Sequence, residues 1–214
     1  MATVTKTAKT KSTSRSRPVV IIGAGIQGCA TAFFLRQRGQ SVIVLEKDQV
    51  GRHASGVNAG GVRSLGRNIA EIPLSLAAMH WWNQIDQLLD IKDGFHKNFY
   101  VKLALDDAGA KLAASRIQQL QKGGFTHERW IDADQLHQRI PRLTREILGG
   151  VLVEGDGWAI PWKITRAFYE KAVALGAEFR MPVTVKSLDY FGDHWQVSTD
   201  SGKIETDIVV NCAG

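Results

Sequence analysis

The sequence predicts an α/β fold whose core is a small parallel sheet, and two observations support this class. Residues 18–22 and 41–47 are apolar, β-branched runs separated by a helical segment. A strand, a helix and a strand therefore follow one another within about 30 residues, as in a right-handed crossover unit. Further along, residues 183–210 contain three strand-like runs joined by Gly- and Asp-containing turns, the pattern of an antiparallel meander.

The composition is that of a globular protein. Of 214 residues, 44% are apolar and 22% are charged, which argues against collagen-like, coiled-coil and disordered chains. No apolar run approaches the roughly 20 residues needed to cross a bilayer, so no membrane span is predicted. Cys29 and Cys212 stand in no metal-ligand or redox spacing, so no metal site is predicted. A cytoplasmic protein is the expectation.

The net charge of +6 comes from the first residues of the chain. Residues 1–17 hold five Lys or Arg and no acid, and the remaining 22 basic and 21 acidic residues nearly balance. Because the excess is not spread over a folded surface, nucleic acid is not expected as a partner. The Thr-, Ser- and Lys-rich composition predicts a disordered basic tail over residues 1–17, with organelle targeting as the alternative.

The remaining elements follow from hydrophobic periodicity. Helical spacing predicts helices at 26–38 (stopped by Gly39), 70–89, 107–121, 133–140 and 162–175. Apolar or alternating runs predict strands at 18–22, 41–47, 99–105, 150–154, 183–188, 194–199 and 204–210. Residues 155–161 (GDGWAIP) predict a turn. Residues 47–68 are glycine-rich without a steady period, and so long a loop inside a compact domain indicates a binding segment.

The first strand and helix are joined by a GxGxxG motif, Gly23-Ala24-Gly25-Ile26-Gln27-Gly28. In this motif the first glycine permits a tight turn, the second lets backbone approach a pyrophosphate at the helix N-terminus, and the third lets helix and strand pack closely. Glu46 ends the next strand 18 residues after Gly28, where it would bind a ribose 2′-hydroxyl and repel a 2′-phosphate. The segment predicts an adenine dinucleotide site and disfavours NADP. A glycine turn that binds nothing is the alternative.

A second glycine-rich loop, HASGVNAGGVR at residues 53–63, follows the acidic strand end. An NAD dehydrogenase has no general need for it, whereas a flavin ring must be approached closely by backbone donors along its edges. Together with VVIIGAGIQG, VIVLEK, GDGWAIP, GAEFRMPVTVKSL and VVNCAG, this loop resembles the D-amino-acid oxidase family of FAD-dependent oxidoreductases, which includes sarcosine and glycine oxidases and related dehydrogenases. NAGGVR is most similar to the sarcosine oxidase or dehydrogenase branch.

The resemblance implies an α/β, Rossmann-like FAD-binding domain with part of an α+β substrate domain. It assigns residues 18–98 to FAD binding, 99–160 to a partial substrate domain, and 161–214 to a return to the FAD-binding domain. The residues implied to hold FAD are Gly23, Ala24, Gly25, Ile26, Gln27, Gly28, Glu46, Lys47, Ser55, Asn58, Gly60, Gly61, Val62, Val185, Ala213 and Gly214.

Two further side chains receive roles by the resemblance. Arg63 falls near a family arginine that grips a substrate carboxylate in some members; a structural salt bridge or a phosphate contact is the alternative. His53 invites the hypothesis of covalent flavin attachment. Some dehydrogenases of this superfamily attach the flavin to a histidine in this loop. The alignment register disfavours His53 for that role, because the attached histidine would fall nearer Asn58.

The implied activity is oxidation of the C–N bond of a small amine or amino acid, sarcosine- or glycine-like, to an imine. Family members are commonly near twice this length, so we expect a truncated or split member that needs a complementing subunit or a C-terminal half. A non-catalytic FAD-binding fragment and an NAD-dependent Rossmann dehydrogenase are the alternatives.

Overall fold

The computed structural model describes residues 17–214, in which short strands alternate with helices. The strands are β1 (Val19–Ile22), β2 (Val42–Leu45), β3 (Gly61–Val62), β4 (His96–Ala104), β5 (Arg129–Asp132), β6 (Gly149–Trp158), β7 (Glu178–Arg180), β8 (Val185–Tyr190), β9 (Trp195–Thr199), β10 (Gly202–Thr206) and β11 (Val209–Asn211). The helices are α1 (Ile26–Gln37), α2 (Ala54–Val57), α3 (Ile72–Trp82), α4 (Ile85–Leu89), α5 (Asp107–Lys122), α6 (Ala133–Arg139) and α7 (Pro161–Ala174).

The described chain divides into two units. The first unit comprises residues 17–52 and Phe168–Gly214, and the second comprises His53–Ala167. This geometric division lies elsewhere than the functional boundaries predicted at 98/99 and 160/161. The predicted tail lies outside the described residues except for Arg17, whose guanidinium pairs with Glu205 and with Asp207, the latter at 2.9 Å.

The first unit is built on the parallel sheet that the sequence predicts. Its strands lie in the order β11-β1-β2-β7, and every pairing is parallel. Because all four residues of β2 are buried, the strand is apolar throughout rather than alternating. Helix α1 packs on β1 and β2 and ends at Gln37; Gly39 follows the C-cap residue Arg38 with φ +76°, which confirms the predicted glycine stop.

The predicted meander is confirmed, with one correction. Strands β8, β9 and β10 form an antiparallel sheet, and Val197 of β9 packs into the core cluster that includes Val20 and Leu45. The run 204–210, however, is two strands rather than one. The fully buried Thr206 hydroxyl contacts the carbonyl oxygens of Pro18 and Ile208, and this turn redirects the chain from the meander into the parallel sheet.

The second unit contains a mixture of confirmed and corrected elements. Helices α5 and α6 match their predictions closely, and the sheet has the order β3-β6-β4 with β5 also paired to β6. The predicted turn at 155–161 is wrong, because β6 continues through Trp158 opposite β4. The predicted helix 70–89 is interrupted after Trp82: the Asn83 side chain donates to the Met79 carbonyl, and α4 starts anew at Ile85.

Within residues 17–214, no helix is long and apolar enough to cross a membrane.

Candidate functional site

The glycine loop of the first unit has the close contacts that its motif predicts. Gly23 has φ +100°, and a Cβ there would lie 2.5 Å from the Cys212 carbonyl oxygen. A Cβ on Gly28 would lie 1.9 Å from the carbonyl oxygen of Gly23 itself. Both positions therefore require glycine: the first for its backbone conformation and the second for the approach of α1 to β1.

The loop leads into an uncapped helix N-terminus. Gly25 is the N-cap of α1, its backbone is extended, and it has no side chain to accept a hydrogen bond from the helix. The first turn of α1 contains no acidic residue. With no capping side chain and no acidic residue there, the positive end of the helix dipole favours an external anion, which is the chemistry of a pyrophosphate site.

Glu46 lies against this loop rather than apart from it. The carboxylate is 7% exposed; one oxygen accepts from the Ala24 amide at 2.7 Å, and the other accepts from the Asp48 amide at 2.9 Å. The Ala24 carbonyl accepts from Gly51 at 3.0 Å. Because an ionised carboxylate has about four acceptor positions, Glu46 holds the loop and still has capacity for ribose hydroxyls.

The other predicted cofactor residues of this unit surround the same strand ends. The backbone amide of Cys212 donates to the Ile22 carbonyl, which places Ala213 and Gly214 beside the glycine loop. The Ala213 Cα is 3.1 Å from the position that a Cβ on Gly23 would take. Val183 donates to the Glu46 carbonyl, which brings the start of β8, with Val185, next to β2. Lys47 is exposed directly after Glu46. The glycine cradle and the open helix end fit an adenine dinucleotide.

The second glycine loop, in the second unit, is held by its own backbone and by neighbouring segments. The Asn58 side chain donates to the Ala54 carbonyl and accepts from the Gly60 amide, and it thereby closes the turn after α2. Gly60 has φ +70°, and a Cβ there would lie 2.1 Å from the Ala159 carbonyl oxygen. Ser55 accepts a hydrogen bond from Thr165 through its carbonyl. His53 is the exposed N-cap of α2.

Two buried carboxylates fix the chain immediately after Arg63, and sequence reasoning missed both. Asp156, 1% exposed, accepts from the amide and the hydroxyl of Ser64 and from the Leu65 amide, at 2.8 to 3.0 Å. Glu128, 3% exposed, accepts from the Gly66 amide at 2.8 Å. The position of Asp156 between two glycines, Gly155 and Gly157, is the sequence feature that could have identified it as a structural carboxylate. Glu128 lies in no motif that could have identified it.

Arg116 neutralises Glu128. Its guanidinium makes two hydrogen bonds of 2.6 Å to the carboxylate and a third, of 2.9 Å, to the Arg67 carbonyl. Burial alone would raise the pKa of the Glu128 carboxyl, but the hydrogen bonds from Arg116 and Gly66 outweigh it and hold that pKa below its ordinary value. The ring nitrogens of the neighbouring His127 are buried without a hydrogen-bond partner among the described residues.

A cleft of about 410 Å³ lies beside β3 and α3, wholly within the second unit. Gly61 and Val62, both predicted cofactor residues, line it together with Arg63. We call it the α3 cleft; its other walls include Arg67, Glu71, Leu74, Met79 and Trp82. The predicted residues thus form two groups, one in each unit.

The two cysteines and the possible metal ligands add no further site. Burial raises the pKa of the Cys29 thiol to about 12, and this thiol donates to the Ala24 carbonyl. Burial also raises the pKa of Cys212. In the part of the chain that the structure describes, no cluster of three His, Cys, Asp or Glu side chains could hold a metal ion.

Comparison with known proteins gives one family. The sequence model described as "FAD dependent oxidoreductase" matches residues 18–214. Glycine oxidase from Bacillus licheniformis is 26% identical over 206 residues, which are 91% of this chain and 53% of that protein. Mitochondrial dimethylglycine dehydrogenase from Homo sapiens is 26% identical over 199 residues, which are 91% of this chain and 23% of that protein.

A solved structure shares the fold. The crystal structure of L-proline dehydrogenase from P. horikoshii has a TM-score of 0.83 and 27% sequence identity, covering 92% of this chain and 52% of that one. The chain therefore spans about half the length of these relatives or less.

Proposed function

This chain belongs to the family of FAD-dependent oxidoreductases, and from that membership we propose that it takes part in oxidising the C–N bond of a small amine or amino acid. FAD is the cofactor of the family, as the two glycine loops predict, which favours FAD over the NAD-dependent alternative. The observation that carries the proposal is the glycine cradle at the uncapped N-terminus of α1, because it presents amide donors and a helix dipole to a pyrophosphate.

The residues proposed to hold FAD form one group in each unit. In the first, Gly23 to Gly28 would hold the pyrophosphate and Glu46 the ribose, while Val185 would hold the adenine through its backbone. In the second, Ser55, Asn58 and Gly60 to Val62 would line the flavin or its phosphates. FAD held by these residues would supply the acceptor for the hydride of the substrate carbon, and the protein's part would be to bind and orient the substrate.

On the substrate side, we propose that Arg63 holds the carboxylate. Its Nη1 donates to the Leu65 carbonyl at 2.5 Å, and the backbone of residues 64–66 is fixed by Asp156 and Glu128. A guanidinium positioned in this way offers its remaining donors to an anion with little loss of conformational freedom. Sarcosine, glycine and proline-like amines are the first substrates to try.

We also propose that the remaining catalytic groups come from a C-terminal half or a complementing subunit, since the relatives are longer. From composition alone, we propose that the protein is cytoplasmic; the alternative is that residues 1–17 target it to an organelle. Fusing residues 1–17 to a fluorescent protein distinguishes these two localisations.

The first experiment is a visible absorption spectrum of the purified protein, with and without added FAD. We expect flavin bands that move to the supernatant after acid precipitation, because noncovalent binding is proposed. Anaerobic addition of sarcosine, glycine or proline should then bleach the bands if the chain carries the chemistry. A protein that takes up no FAD contradicts the proposal for this chain by itself and supports the fragment alternative.

A matched pair of variants tests the pyrophosphate site directly. Gly25→Asp places a carboxylate at the N-cap of α1, which stabilises the helix but repels a pyrophosphate; Gly25→Asn caps it without charge. We expect both to fold by circular dichroism and the Asp variant to bind FAD at least tenfold more weakly than the Asn variant. Equal FAD affinity would place the pyrophosphate elsewhere.

A further inference from the structure

The α3 cleft carries more positive charge than its neighbours neutralise. Arg63 and Arg67 both line it, and neither guanidinium lies within 4.0 Å of a carboxylate among residues 17–214. Glu71 is the acidic side chain of the lining. The lining thus holds two arginines and one carboxylate side chain, and this excess of positive charge makes the cleft a site for an anionic group.

The two arginines are held in place by a rigid turn. The Arg67 Nε donates to the Arg63 carbonyl at 3.3 Å, and Arg116 donates to the Arg67 carbonyl at 2.9 Å. Within this turn, the amides of residues 64–66 bond to the buried carboxylates Asp156 and Glu128. These bonds fix the backbone between the two arginines, and the bond from the Arg67 Nε restrains its side chain, four residues after Arg63 in the lining of the same cleft.

Apart from Glu71 and Ser75, the rest of the cleft lining is apolar. Leu74 of α3 is 76% exposed and lines the cleft together with Met79 and Trp82 of the same helix, which makes this wall largely apolar. The Trp82 ring packs against Phe95, with 5.9 Å between ring centroids, so its orientation is fixed. At about 410 Å³ the cleft lies within the usual range for small-molecule sites. A molecule as small as glycine would leave most of this volume, and the exposed apolar wall, to water.

We propose that the α3 cleft binds a carboxylate that carries a bulky apolar group, with Arg67 as a second anion-binding side chain beside Arg63. This rests on the proposed function in taking the bound molecule to be the substrate, and it specifies that substrate as an amino acid with a large apolar side chain. The carboxylate faces the two arginines, and the apolar group covers Leu74, Met79 and Trp82.

The test is calorimetric binding of simple probes to the full 214-residue protein. The probes are 3-phenylpropionate, which has both features, acetate, which lacks the apolar group, and phenethylammonium, which lacks the carboxylate. We expect 3-phenylpropionate to bind at least tenfold more tightly than either of the others, since each lacks one half of the recognition. Equal binding of acetate and 3-phenylpropionate, or no binding of 3-phenylpropionate, overturns the proposal.

Two matched pairs of variants locate the binding. Arg67→Gln should weaken 3-phenylpropionate roughly tenfold, whereas Arg145→Gln, which removes an exposed arginine outside the cleft, should leave it within twofold. Leu74→Asp should abolish the preference over acetate, whereas Leu112→Asp, at an equally exposed position on α5, should preserve it. An Arg67→Gln or Leu74→Asp variant that behaves like its control shows that the probe binds elsewhere.

Asp156→Asn tests whether the turn positions the arginines. Asp156 does not line the cleft, so we expect weaker binding of acetate and 3-phenylpropionate by the same factor, with their ratio unchanged. If Asp156→Asn does not fold, the Ser64→Ala variant, which removes one of the three bonds to Asp156, provides the same readout. A changed ratio would contradict a role in positioning the anion-binding groups alone.

These experiments distinguish failure of the cleft proposal from failure of the proposed function. If FAD binds and is bleached by an amine while 3-phenylpropionate does not bind, the proposed function stands and the cleft proposal is overturned. If 3-phenylpropionate binds with the expected dependence on Arg67 but FAD does not bind, the cleft proposal stands as a binding site and the flavin chemistry of this chain is overturned.

Discussion

The carboxylate of Glu46 accepts a hydrogen bond of 2.7 Å from the backbone amide of Ala24, so that the end of β2 is tied to the loop after β1. The two residues are 22 positions apart in the chain. The acidic residue predicted to bind a ribose therefore also shapes the glycine loop beside it. Loop geometry and ribose recognition share one side chain, and a change at Glu46 should affect both protein stability and FAD affinity.

We expect Glu46→Gln to lower the free energy of unfolding by about 1 to 3 kcal/mol, because a buried amide cannot accept from both the Ala24 and Asp48 N–H groups. One of those donors would face the NH₂ end of the glutamine. Urea denaturation measures the loss. The control is Glu178→Gln, on an exposed ion pair with Arg180, which should change stability by less than about 0.5 kcal/mol. Equal effects of the two variants would contradict the structural role of Glu46.

Gly28→Ala, on α1, should destabilise the first unit more than the same substitution at Gly39, just after the helix. The new Cβ would meet the Gly23 carbonyl oxygen at 1.9 Å, so the helix or the strand must shift, at about 3 kcal/mol. Gly39→Ala is the matched control: Gly39 has φ +76° but nothing within 4 Å, so only the backbone conformation costs about 1 to 2 kcal/mol. Thermal unfolding ranks the two. A smaller loss for Gly28→Ala would show that α1 can move away freely.

The features of this protein that depend on local sequence could be predicted, whereas those that depend on distant contacts could not. The motif around Gly23 and Gly28 and the acid at Glu46 lie within one crossover unit, so spacing alone identified them. Asp156 binds Ser64 across 92 positions, and no periodicity reports such a pair. The turn predicted at residues 155–161 was wrong for a related reason, because the strand that pairs with this segment is distant in the sequence.

In that segment Gly157 serves sheet packing, and Gly155, with φ +87°, lies at the register shift between β4 and β6 rather than in a turn. A Cβ on Gly157 would lie 2.1 Å from the His96 carbonyl oxygen, so glycine is required there by the close approach of β4 to β6. Turn-forming composition and close strand packing call for the same residue type, and only the partner strand distinguishes them.

The fold class was predictable because its hydrophobic pattern is repeated over whole strands. The support of the Arg63 turn was not, because two single carboxylates carry it.

Cys29 should resist alkylation in the folded protein. Its thiol is fully buried, and a pKa raised to about 12 leaves almost no thiolate at pH 8. Mass spectrometry after brief iodoacetamide treatment should show Cys29 unmodified until urea unfolds the first unit. Cys212, which is only partly buried, is the internal control and should be modified faster. Equal rates for both cysteines in native buffer would show that the first unit opens readily.

The Glu128–Arg116 pair should make stability depend on acid pH in a defined direction. Because the folded pKa of Glu128 lies below its ordinary value, the pair stabilises the protein fully above that ordinary value, and the contribution is lost as the pH falls through the lowered pKa. Glu128→Gln should therefore cost about 3 kcal/mol at pH 6, since it leaves Arg116 without its carboxylate, and progressively less as the pH falls below the ordinary pKa of a glutamate.

Urea denaturation of wild type and variant at pH 6, 5, 4 and 3 measures this difference. Glu154→Gln is the control, because Glu154 pairs with Arg129 and Arg139 at an exposed site where solvent screens the interaction. Its effect should be small at every pH. If the gap between wild type and Glu128→Gln stays constant from pH 6 to pH 3, the carboxylate of Glu128 does not titrate with unfolding, and the turn that carries Arg63 and Arg67 is held by other contacts.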